Sequence, residues 1–263
     1  MVTILFSIVD FSTSAKSCKY VLHFRCVVEV RNIIRNARHL KKLSLGCLVE
    51  LCEDGEELIY LLAEHQASNI EALHIASIKE DPDSYPLYDF PVDHFCHLSN
   101  LCEMGLDYDY VTDELLQTWT RSGCTTLHKL ILHVHGIEPE HPHVTNKTWQ
   151  ELVRVSPSLK VTLNLIHSID GVENILDILQ PALPVACLRM FFCQYLPEAM
   201  LTFLSQHNST TLESIIIVDG MTDFVPAVYE TFGVEDPFVM LTWKCQNLKE
   251  FSLIGIICYA HIL

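Results

Sequence analysis

One short arrangement of apolar positions recurs along the chain. Leu40, Leu43 and Leu45 follow the spacing apolar-x-x-apolar-x-apolar, and it returns at Ile70, Leu73, Ile75 and at Leu101, Met104, Leu106. It is found again at Leu127, Leu130, Leu132, at Leu188, Phe191, Cys193, at Leu212, Ile215, Ile217 and at Leu248, Phe251, Leu253. SLKVTLNL fits with one extra residue between Leu159 and the pair Leu163, Leu165. Alternation of apolar and other positions at the end of each frame predicts a short strand with one buried face.

Between frames the spacing becomes helical. EDGEELIYLLAEHQ, TDELLQTWTRSG, NKTWQELVRVSP, VENILDILQP and LPEAMLTFLSQH each predict a helix. The first carries acids in its opening turn, Thr112 and Asp113 are capping types, and Pro157 and Pro181 stop two of the others. Frames begin 24 to 36 residues apart. Strand then helix at that period predicts an α/β leucine-rich-repeat solenoid with irregular repeats, a concave parallel sheet and outer helices. A single unit cannot bury its own apolar face, so neighbours must stack and bury it together. Two stretches, KEDPDSYPLYDFPVDHF (79–95) and IEPEHPHVTNK (137–147), interrupt the order and read as loops.

Alternate strand positions should line the open side of the sheet. In the middle repeats these are Glu103, Asp107, Asp109, Lys129, His133 and His135. Later they are Met190, Phe192, Gln194, Ser214, Ile216 and Val218. An acidic stretch thus gives way to an apolar one. The expected protein-binding residues are Met190, Phe192, Ile216 and Val218, with Asp107, Asp109 and His133, while Phe191 is expected in the core.

Composition narrows the partners. The 263 residues are 49% hydrophobic, with 33 acidic against 17 basic residues and a formal net charge of −16. That balance argues against a nucleic acid or an anionic membrane as main partner. No apolar run approaches the ~20 residues of a spanning helix. Eleven cysteines, an odd number and several within periodic segments, point to a reduced compartment, cytoplasmic or nuclear. The opening MVTILFSIVDFSTSA has the apolar run of a signal peptide but no basic start, and Asp10 interrupts it. Asn146-Lys-Thr and Asn208-Ser-Thr match a glycosylation pattern that also arises by chance.

Candidate chemistry is sparse. There is no Gly-rich phosphate loop and no Gly-x-Ser-x-Gly elbow, so neither catalysis nor a cofactor is expected. His133, His135, His141 and His143, with Glu138 and Glu140 between, have residue types that bind zinc. They lack a helical His-x-x-x-His and a Cys-x-x-Cys, so they read as exposed histidines holding no metal. His94, Cys96, His97 and Cys102 form a weaker group, with Cys96 expected at a buried repeat start.

Cys124-Thr-Thr-Leu127, Cys187-Leu188 and Cys245-Gln-Asn-Leu248 resemble the repeats of F-box proteins with irregular, cysteine-containing leucine-rich repeats. So does the wider wording of VVEVRNIIRNARHLKKLSLGCLVEL, ALPVACLRMFFCQYLP and DPFVMLTWKCQNLKEFSLIG, a likeness spanning roughly residues 27–256. The resemblance implies a non-catalytic repeat region that recruits a substrate protein to an SCF-type cullin-RING ubiquitin ligase. The F-box, a separate helical module, would contact the Skp-type adaptor and, through it, the cullin. LPEAMLTFLSQH opens as an F-box helix does, but the strand frame at Leu212 follows at once, so it reads as a repeat helix. No F-box pattern precedes the repeats. Residues 1–26 therefore read as an atypical N-terminal segment and 27–263 as a repeat domain truncated and uncapped at its C-terminus. Adaptor binding is expected of a longer form and not of this chain. The alternative is a repeat scaffold or sequestering protein unconnected with ubiquitin.

Overall fold

The computed structural model describes residues 2–5, 27–45, 54–76, 90–121, 127–137, 141–194, 196–219 and 237–255. Among these, nine strands form one parallel sheet in strict chain order. Strand β1 (Val2–Leu5) lies beside β2 (Leu40–Ser44), with helix α1 (27–36) between them in sequence. There follow α2 (Gly55–His65), β3 (Ala72–His74), α3 (Val92–Phe95) and β4 (Glu103–Asp107). A 3-10 turn (Tyr108–Tyr110) leads to α4 (Asp113–Thr120), β5 (Lys129–Val134), α5 (Asn146–Val155) and β6 (Lys160–Ile166). The chain continues through α6 (Ile169–Glu173), α7 (Ile175–Ile178), β7 (Val185–Phe191), α8 (Glu198–His207) and β8 (Ser214–Val218). It closes with α9 (Pro237–Lys244) and β9 (Glu250–Ile254). Parallel neighbours need a crossover, which the helices supply. The chain is a leucine-rich-repeat solenoid, as the frames predict.

The core lies between the helices and one face of the sheet. Leu43, Leu73, Met104, Leu130 and Val161 stand side by side, none more than 1% exposed. Leu106, Leu132, Leu163, Leu188 and Ile215 form the next row, all at 0%. Each such side chain contributes about 1.5–3 kcal/mol by leaving water. Helix residues Leu115, Leu116, Trp119, Trp149 and Leu152 close over them.

Buried polar side chains tie several of the repeats to the one before or after. Gln66 Nε2 donates to the Ile34 and Ala37 carbonyls, both at 2.7 Å. Ser156 Oγ accepts from Leu127 N at 3.0 Å, and Asn208 Nδ2 donates to the Leu183 carbonyl at 2.7 Å. All three side chains are buried, so each bond satisfies groups that would otherwise be costly. The burial of Asn208 also removes it as a glycosylation acceptor in the folded chain. The expected Thr112 cap is present, its Oγ1 accepting from Leu115 N at 3.2 Å.

Two expectations are corrected. VENILDILQP forms two short turns, α6 and α7, instead of one helix. Asn174 ends the first: its backbone N–H and its Nδ2 both donate to the Asp170 carbonyl, at 2.9 and 3.0 Å. The second correction concerns register at β7. Leu188 and Met190, not Leu188, Phe191 and Cys193, stand beside Ile215 and Ile217. Met190 is therefore core at 1% exposure, and Phe191 lies on the open face. The frame starts three residues earlier, at Val185. ACLRMFFC has apolar residues on both alternations, so its own pattern is ambiguous and its neighbours decide.

That register begins in β6. Leu130 and Leu132 of β5 pair with Val161 and Leu163, whereas Leu188 and Met190 of β7 pair with Leu163 and Leu165. β6 serves both halves by being longer, and the later strands are offset by two residues relative to the earlier ones.

Candidate functional site

Side chains on the open face form rows across the strands. The first runs Lys42, Ala72, Glu103, Lys129, Lys160. Lys129 Nζ donates to Glu103 Oε1 at 2.8 Å, and His74 Nε2 lies 3.1 Å from the same oxygen. Burial acts to raise the Glu103 carboxyl, but the Lys129 hydrogen bond and charge outweigh it and hold the group below its ordinary value. His74 is lowered, because burial disfavours its cation by more than Glu103 favours it.

The next row on this face contains Gly105, Ile131, Thr162, Cys187 and Ser214. A third runs Asp107, His133, Asn164, Arg189, Ile216, Ser252. The last, Ile166, Phe191, Val218, Ile254, is wholly apolar and only partly covered. Of these, Ile254 is exposed and the other three are half-buried.

The structure sorts the expected binding residues. Ile216 and Val218 face outward and lie beside each other's row, as expected. Their neighbours on β7 are Arg189 and Phe191, in place of Met190 and Phe192. Phe192 is 46% exposed but lies past the strand end in a left-handed turn, φ 55, stacked on His167. Asp107 has the outward alternation yet is completely buried, at 0%. Asp109 sits on the 3-10 turn beyond β4, not on a strand. His133 is outward and half-buried, whereas His135, expected on the open face, is buried at 4%.

The histidine group divides. His133 and His135 approach Asp107, and the three donor atoms lie within 4.8 Å of one another. His135 Nε2 is 3.6 Å from Asp107 Oδ1. His141 and His143 instead pack together beside Tyr108, with ring centroids of His141 4.9 Å from Tyr108 and 5.5 Å from His143. Asp107, which joins these two histidines, belongs to the preceding repeat, at the end of β4. Its signal is the one-repeat spacing to His133, visible once the frames are aligned. Glu138 and Glu140 lie outside the described residues.

Cysteines fill space. Cys193 and Cys245 are buried, while Cys96, expected to be buried, is only partly so because Phe95 takes the core position. Burial raises the thiols of Cys102, Cys193 and Cys245, the opposite of what a nucleophile needs. Sequence reasoning also missed Asp219, whose Oδ2 accepts from Gln194 N at 2.7 Å and anchors the loop after β7. Trp243, 75% exposed on α9, was missed too; its signal is a helix apolar on every side.

The wording of the repeats has counterparts among curated proteins. The chain is similar to F-box only protein 33. The human protein is 27% identical over 240 residues, and the mouse protein 28% identical over the same length. The match covers 88% of this chain and 41% of each relative, so the chain spans about two fifths of their length. No family model matches the chain. Among solved structures there is a faint likeness to the tropomodulin C-terminal domain from Caenorhabditis elegans, at TM-score 0.29 and 11% identity over 84% of this chain and 92% of that one. Another is to TLR13 in its complex with ssRNA13, at TM-score 0.33 and 15% identity over 71% of this chain and 26% of that one. Among the described residues no helix is long and apolar enough to cross a membrane.

Proposed function

We propose that this chain is the substrate-recognition region of an SCF-type ubiquitin ligase receptor, acting by protein contact without catalysis. The observation that carries the reading is the similarity to F-box only protein 33 along 88% of the chain. The open face supports it. Ile166, Phe191, Val218 and Ile254, with Ile216 beside them, offer adjacent apolar side chains, and a few large ones dominate the energy of a protein interface. Skp-type adaptor and cullin would be engaged through an F-box in a longer form, in a cytoplasmic or nuclear setting.

The test is capture from cells with this chain and with a longer, F-box-containing form, scoring adaptor and other proteins separately. The reading expects a shared set of captured proteins and adaptor with the longer form alone. Members of the shared set should gain ubiquitin when the longer form is raised. A shared set whose ubiquitination never changes would favour the scaffold reading instead.

A further inference from the structure

We propose that Asp107, His133 and His135 form a binding site for one divalent transition-metal ion of the zinc class. Two imidazoles and one carboxylate are the donor set such ions take, with a fourth position left over. The ligands come from adjacent strands: Asp107 ends β4, and His133 and His135 span the end of β5. Direct pairing of Asp107 with His133 in the ladder sets the spacing, and His135 follows two residues on, past the strand end.

The distances suit an ion. Bonds of about 2.0–2.2 Å in a tetrahedron place donor atoms about 3.4 Å apart. His135 Nε2 and Asp107 Oδ1 are at 3.6 Å, and no pair in the group exceeds 4.8 Å. Closing the widest pair needs only small rotations of side chains already on one side of the sheet. Burial of the carboxylate also favours an ion: Asp107 is at 0% exposure and His135 at 4%. Donors so placed hold an ion with little competition from bulk water.

A second observation comes from the next strand. Asn164 lies directly opposite His133, is 7% exposed, and its buried Oδ1 accepts no hydrogen bond from the protein. A buried acceptor of this kind calls for a partner. A water in the fourth position of the ion would donate to it. The site would thereby join β4, β5 and β6 across the open face, beside the apolar stripe but independent of it.

The experiment uses the whole chain, stripped with chelator and then titrated with Zn²⁺ or Co²⁺. One ion per chain should bind, with a rise in melting temperature. The Co²⁺ complex should show d–d bands without the near-ultraviolet charge transfer of cysteine sulfur. His133→Ala, at a half-buried position, should keep the metal-free melting behaviour and weaken binding by more than about tenfold. His135→Ala should do the same to binding. The site is refuted if Zn²⁺ neither binds nor shifts the melt. It is equally refuted if sulfur charge transfer accompanies Co²⁺, or if His133→Ala binds as tightly as the parent. Should His135→Ala fail to fold, the Co²⁺ spectrum of the parent and the His133→Ala titration decide.

Discussion

Phe192 stacks on His167, ring centroids 5.2 Å apart and planes 17° apart, with both backbones left-handed at φ 55 and φ 50. Such φ values disfavour L-residues by about 1–2 kcal/mol each. Backbone bonds hold them: His167 N donates to Phe191 O at 2.9 Å and Phe192 N to Val218 O at 2.7 Å. Gln194, also left-handed at φ 63, is exposed and its N–H is fixed by Asp219. Gln194→Gly should therefore stabilise the chain by about 1 kcal/mol, because glycine adopts this conformation freely. A denaturant melt with no gain would show that the turn carries no strain.

Met190 and Phe191 give opposite tests of the β7 register. Met190→Ala should cost about 2–5 kcal/mol of folding stability, since its side chain is lost from the core. Phe191→Ala should cost less stability and weaken capture of a protein partner by about 1–3 kcal/mol. Thermal melts and capture on both variants would expose a wrong register if their effects were exchanged.

Before it reaches the carboxylates, acid should act through His141, which burial lowers, and through His74. The pKa of His74 is lowered from 6.5 by burial, so the unfolded chain takes up the proton before the folded one does. The stability this group supports is present above about pH 6.5 and is lost as pH falls toward its lowered folded value. Glu103, lowered from 4.5 chiefly by Lys129 against burial, adds a second loss below about pH 4.5. His74→Gln should flatten the fall in melting temperature between pH 7 and 5. Glu103→Gln should deepen it, because the carboxylate is what props His74 up. Identical pH profiles for the three proteins would contradict this account.

Gly171 has no room for a side chain. A Cβ there would lie 2.1 Å from Ser168 Oγ and 2.7 Å from Val134 Cγ1. Gly171→Ala should destabilise by about 1–3 kcal/mol through forced repacking of the α6–β5 contact. Equal urea midpoints for variant and parent would mean that α6 shifts away without cost.

Most of the fold was legible because single-face alternation is strong in the earlier repeats. Leu43, Leu73, Met104 and Leu130 sit where their spacing alone puts them. The pattern failed at CLRMFFC, where Met190 and Phe191 are equally apolar and only pairing with β6 and β8 selects the face. The expected open-face positions followed that error: Ile216 and Val218 do lie on the open side, whereas Met190 is core, Phe192 lies past the strand end, and Phe191 takes the outward place on β7. The burial of Asp107 was invisible because alternation predicts a side, not what lies above it. Its meeting with His135 spans two repeats, so local spacing along the chain does not reveal it.

The two-residue offset that begins at β6 has a geometric consequence. At about 3.3 Å per residue it carries the later strands about 7 Å beyond the end of β4. The row Ile166, Phe191, Val218, Ile254 is thus a ledge that exists only over the last four strands. Three gaps of about 4.8 Å make it about 14 Å long. That length matches about nine residues of helix at 1.5 Å each. A partner resting there would be limited to two or three helical turns or a short extended segment, and one that also touched the half-buried His133 would have to step down to reach it.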